Sequence, residues 1–211
     1  MRKYLLAISM SLLLITGGCT EEKEQMQREL DTVLNDIQEY EIKVDDYESQ
    51  LASLEKKEQL LFKKTVELSN ENRELIKSVV LRLEESVEKR NQILVQEQEA
   101  VHEAEELAKQ LLTLPPASSD EGTRAVAKLQ EALVKRYELH QEVIDLYSEL
   151  TKHQGILYEM LIEENVKRVQ LEEATRAVNK QRVKVEDAIQ VFNQSTNEVN
   201  DALKDTQQVE S

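Results

Sequence analysis

Tryptophan is absent from this 211-residue chain, glycine occurs four times, proline twice and cysteine once. Each scarcity excludes something. A lone thiol closes no intramolecular disulfide, so the fold needs no covalent staple. So few glycines and prolines cannot supply the turns of a sandwich or barrel, and 4% aromatic residues cannot fill a strand-rich core. No glycine-rich phosphate loop, HExxH pair or nucleophile-elbow serine occurs either. The expectation is therefore a protein that is not an enzyme and carries no cofactor.

Basic residues are also in short supply, 27 against 42 acidic ones, for a net charge of −15. Such a surface repels phosphate backbones and anionic headgroups, which argues against a nucleic-acid partner. What remains is 33% charged and 40% apolar residues, dominated by Glu, Lys, Leu, Gln and Val. That mixture with few breakers makes long helices, and the regular spacing of its apolar residues argues for packing over disorder.

The chain opens MRKYLLAISMSLLLITGGCTEE. Arg2 and Lys3 precede an apolar run from Tyr4 to Ile15, and Thr16-Gly17-Gly18 forms a small-residue exit, the pattern of a secretory signal over residues 1–18. The run is too short for a membrane span, which needs about 20 apolar residues. Cys19 follows the glycines directly and resembles the lipidated cysteine of a bacterial lipobox, although Leu14 and Ile15 come earlier than the usual box leucine. Acylation there, with palmitate as one chain, would anchor residues 19–211 to the cell membrane from the extracytoplasmic side, since two acyl chains hold firmly where one does not. Removing the first 18 residues leaves 25 basic side chains against 42 acidic ones, a net charge of −17.

Four apolar seams follow. The first steps through Met26, Leu30, Val33, Ile37, Tyr40, Val44, Tyr47, Leu51 and Leu54 at alternating intervals of four and three. A turn is expected near 69–71, where Ser and Asn compete with the backbone for hydrogen bonds. The second seam runs from Ile76 through Val80, Leu83, Val87, Leu94, Val101, Ala104 and Ala108 to Leu111, interrupted by Arg90 and Glu97. TLPPASSDEG holds both prolines and ends that helix, and Ser118 with Glu121 resembles a capping box for the next. The third seam contains Val126, Leu129, Leu133, Tyr137, His140, Ile144, Tyr147, Leu150, Leu157 and Leu161, with Gly155 expected to bend the helix locally. After a break at Glu163-Glu164-Asn165, Leu171, Val178, Val185, Phe192 and Val199 recur every seven residues.

These patterns predict an all-α protein, a single elongated up-and-down bundle of about four long antiparallel helices with coiled-coil-like packing. The helices are expected at about 22–68, 71–113, 119–163 and 166–206, each roughly 65 to 70 Å long. A dimeric coiled coil through the first seam, and a three-helix rod should Asn165 not break the chain, stay open.

Few residues suggest chemistry. Glu99-Ala-Val-His102 has the Glu-x-x-His spacing of carboxylate-bridged metal bundles, but a second such pair is needed and none exists, so no metal is expected. His140 sits on the third seam as a core histidine expected to find a partner. Between Lys167 and Lys184 six basic residues face only Glu172 and Glu173, and Arg176, Lys180 and Lys184 repeat at i, i+4 on one face. They form the candidate polymer-binding patch, with pairing to glutamates of a neighbouring helix as the alternative.

The signal, the EEK after it, LEKKEQLLFKK, RYELHQEVIDLYSEL and LYEMLIEEN together make the chain similar to the YkyA-type cell-wall-binding lipoproteins of Gram-positive bacteria. The resemblance implies a lipid-anchored helical bundle outside the membrane, with no catalytic residues to carry over. Two functions stay open: binding of a wall or envelope polymer, and an adaptor or structural role toward a membrane or secreted protein.

Overall fold

The computed structural model describes residues 21–67, 72–117 and 119–210. Of these 93% are helical and none is in a strand, and the helices pack as an up-and-down bundle. Cys19, the signal, the turn at 69–71 and Ser118 lie outside the described residues. The helices are α1 (Glu21–Glu67), α2 (Arg73–Gln110), α3 (Asp120–Met160) and α4 (Arg168–Glu210), with a 3-10 turn at Leu111–Thr113 after α2.

Local chemistry sets the ends. Leu114 precedes Pro115 and adopts φ −63°, ψ 151°, the extended conformation that proline forces on its predecessor, so the helix stops there. Ser119 caps α3, its Oγ accepting the Gly122 N–H at 3.0 Å. Gln170 reaches back from the first turn of α4, its Oε1 accepting the Lys167 N–H at 2.8 Å, which is half of a capping box. The chain leaves helix between Met160 and Arg168, spanning the expected break at Asn165. Gly155 lies within unbroken α3, and a Cβ built on it would meet nothing within 4 Å.

The described residues pack as two compact units. One comprises residues 21–45, 100–138 and 194–210, the other 46–99 and 139–193, so each draws on all four helices. The interior of the first unit is mainly apolar, with Met26, Leu30, Ile37, Val101, Leu111, Leu129, Leu133 and Ala202 at 3% exposure or less, beside buried but uncharged Gln130, Ser195 and Thr206. Truncating a leucine such as Leu129 to alanine there costs about 2 to 5 kcal/mol through lost burial and the cavity left behind.

The second unit has an apolar cluster of Val79, Val80, Leu83, Val87, Leu150, Leu157, Tyr158, Val178 and Val185. It also buries charge, namely Glu58, Arg90, Glu97 and His140. Its α1 seam continues at seven-residue steps past Leu51 to Glu58 and Thr65, both buried. Buried charge is expensive unless paired, so the chemistry of the molecule concentrates here.

Candidate functional site

Arg90 has no solvent exposure. Its Nη2 donates to Glu58 Oε1 at 2.8 Å and to Gln154 Oε1 at 2.9 Å, and its Nη1 donates to the Tyr147 hydroxyl at 3.2 Å. Tyr147 passes the interaction on by donating to Glu55 Oε1 at 2.7 Å, and Tyr158 donates to Glu58 Oε1 at 2.6 Å. Burial alone would lower the Arg90 pKa, but Tyr147, Glu58 and Glu55 outweigh it and the net direction is up. Burial pushes the Tyr147 and Tyr158 hydroxyls well above the ordinary tyrosine range, with neighbouring Glu55 and Glu58 respectively adding to the effect. Both phenols stay protonated and remain donors. The arrangement is a buried ion-pair network joining α1, α2 and α3, in which Glu58 Oε2 and Arg90 Nε are buried without a hydrogen-bond partner among the described residues.

Two turns further along α2, Glu97 fills the other interruption in the second seam. Its Oε1 lies 2.9 Å from His140 Nε2, and Glu48 Oε1 on α1 lies 3.8 Å from the same nitrogen. Phe192 of α4 packs on the imidazole with ring centroids 4.6 Å apart. The three ligand atoms of Glu48, Glu97 and His140 all fall within 4.8 Å of one another, a group able to share a cation. His140 thus has the partner expected of a core histidine. Glu99 and His102, the pair with metal-like spacing, are both exposed on α2.

A third polar cluster belongs to the first unit. Arg136 makes a two-pronged contact with Glu41, at 2.6 and 3.0 Å, and Tyr137 donates to Glu41 Oε1 at 2.6 Å. Burial raises the Tyr137 hydroxyl well above its ordinary value, with Glu41 reinforcing the shift.

Outside, the basic stretch of α4 divides. Arg168 is tied to Glu172 by an i, i+4 pair at 2.8 Å. Arg176, Lys180 and Lys184 are exposed, and none closes a salt bridge with another described residue. Lys184 contributes through space, as a minor cause, to the lowered pKa of Glu149, whose main partner is Lys152. The i, i+4 spacing aligns the three cations along about 12 Å of helix. Exposed Val169 and Val183 flank them, each one heptad from Arg176. Lys184 also borders an open depression lined by Glu142, Leu146, Asp187, Ala188 and Val191.

Sequence spacing identified the α4 strip but not the Glu48–Glu97–His140 group, whose members come from three helices. Its traces in the sequence were two polar residues at seam positions, Glu97 and His140, with nothing to show that they meet.

Fold and side chains together define an all-helical bundle protein with polar clusters in both units, buried charges in the second, and a short cationic strip on α4. No described helix is long and apolar enough to cross a membrane. The chain belongs to the YkyA family, described as "Putative cell-wall binding lipoprotein", whose model matches residues 25–209. Curated protein sequences give no significant match. Among solved structures, the chain is similar to a conserved protein of unknown function from Staphylococcus aureus. The TM-score is 0.78 at 18% identity, over 91% of this chain and 97% of that one, a likeness of fold alone.

Proposed function

We propose that this chain is a non-enzymatic lipoprotein, anchored through Cys19 at the extracytoplasmic face of the membrane, that binds an anionic polymer of the cell envelope. The family match carries this reading. Cys19 directly after Gly17-Gly18 supports the anchor, and the absence of a spanning helix among the described residues is compatible with it.

The net charge of −17 over residues 19–211 opposes an anionic ligand, so attraction must be local. Arg176, Lys180 and Lys184 meet that requirement, being exposed, aligned and outside salt bridges with described residues. At physiological ionic strength charges beyond about 8 Å are largely screened, so the remote acidic surface weighs less than these contacts. Binding that rests on them should weaken as salt rises.

A second reading, an adaptor that docks a membrane or secreted protein, draws on Val169 and Val183. They are 53% and 54% exposed beside the cations and would suit a partly apolar partner. Sedimentation of the protein with purified cell wall, at low and high salt, separates the two. Salt-sensitive co-sedimentation supports polymer binding. Failure to sediment at low salt, with a discrete protein captured by cross-linking on cells, supports the adaptor.

A further inference from the structure

We propose that Glu48, Glu97 and His140 form a mononuclear binding site for a divalent first-row transition-metal ion of the zinc class. The proposal is independent of wall binding, because the group lies in the interior of the second unit.

The donors suit such an ion. One imidazole nitrogen and two carboxylates match zinc and its neighbours, whereas calcium and magnesium favour all-oxygen sets of six or more ligands. Ligands about 2.1 Å from a tetrahedral ion stand roughly 3.4 Å apart. The distances from His140 Nε2 to Glu97 Oε1 and Glu48 Oε1, 2.9 and 3.8 Å, straddle that value. Metal binding would replace the His140 Nε2–Glu97 Oε1 hydrogen bond, the Nε2 proton being released to solvent or moved to Nδ1 so that the Nε2 lone pair meets the ion, while the carboxylate oxygens, already within 4.8 Å of each other, draw in and water completes the shell.

A second observation points to the same ligand. Glu97 has a side chain 5% exposed, yet its Oε2 is buried with no hydrogen-bonding partner. A buried carboxylate oxygen left unmatched is costly, and the charge of a bound cation would offset that cost. The rest of the surroundings fit a metal site as well. Packing of Phe192 against the imidazole fixes the ring plane, and Glu48, with a side chain 28% exposed, opens the group toward solvent as an entry path. A mononuclear site assembled from α1, α2 and α3 leaves no local sequence spacing, which is why the Glu-x-x-His criterion passes over it.

The test is calorimetric titration of the purified, chelator-stripped protein with zinc chloride, and with calcium chloride for comparison. Zinc should bind at one ion per chain and raise the melting temperature, with calcium far weaker. Glu97→Gln and His140→Gln should each lower zinc affinity by at least about tenfold, while exposed His102→Ala leaves it unchanged. Circular dichroism confirms that each variant remains helical. Should a core variant unfold, Glu48→Gln at the rim decides in its place. No zinc binding by the wild type, or affinity unchanged in the helical ligand variants, overturns the site.

Discussion

Replacing Arg90 with methionine tests the core network most severely. The guanidinium is fully buried, donates to Glu58, Gln154 and Tyr147, and faces a Glu58 side chain only 3% exposed. Methionine fills similar space but strands the Glu58 carboxylate in the interior. Removing one partner of a buried pair costs about 3 to 5 kcal/mol, against a total stability of about 5 to 15 kcal/mol. For a chain of this size each kcal/mol moves the melting temperature by about 2 to 4 °C, so Arg90→Met should melt about 6 to 20 °C below wild type. The companion change Glu58→Leu removes the stranded charge, and the double variant should recover much of the loss, because well-packed apolar replacements of buried pairs are often neutral or better. Thermal melts and urea titrations of both single variants and the double variant form a complete cycle. A loss below about 1 kcal/mol for Arg90→Met, or a double variant no more stable than the additive expectation, would refute a coupled pair.

Further outcomes follow from the same structure. Cys19→Ala should abolish partitioning into the detergent phase while the circular dichroism spectrum stays helical; wild-type partitioning would show that the thiol is not the anchor. Tyr137, Tyr147 and Tyr158 have hydroxyl pKa values raised chiefly by burial. The folded state therefore holds these protons more tightly than the unfolded state, so their stabilisation is complete below the unfolded tyrosine pKa of about 10 and declines as pH rises beyond it. Alkaline melts should lose stability above that pH, and tyrosinate absorbance from these three residues should appear together with helix loss; ionisation without unfolding would contradict their burial.

How much of this was legible in the sequence differs between backbone and site. Apolar spacing located four helices because core-facing positions must recur every three or four residues, and Pro115 had to end α2. Helix ends differ from the expected bounds by a residue or a few, as at α3, which begins at Asp120 behind Ser119, whose Oγ caps it. Arg90 and Glu97 registered as interruptions of the second seam, yet both face inward. Spacing records which face a residue occupies, whereas the groups that neutralise it, Glu58, Gln154 and Tyr147 for Arg90 and His140 for Glu97, come from other helices. The α4 strip was visible because all three cations lie on one helix at i, i+4, a relation internal to the sequence. Packing into two units was not visible, since the apolar seams continue through all four helices without a compositional boundary.

Reversing Arg176, Lys180 and Lys184 together to glutamate, then measuring adsorption of the lipid-free protein to purified cell wall against wild type, tests the proposed polymer binding most directly. Exposed charge contacts contribute about 0.2 to 1 kcal/mol each, so loss of three predicts an affinity about 3- to 150-fold weaker at low salt, with the difference shrinking as salt rises. A triple variant that stays helical and adsorbs as tightly as wild type, with the same salt dependence, would contradict a role for the α4 strip in wall binding.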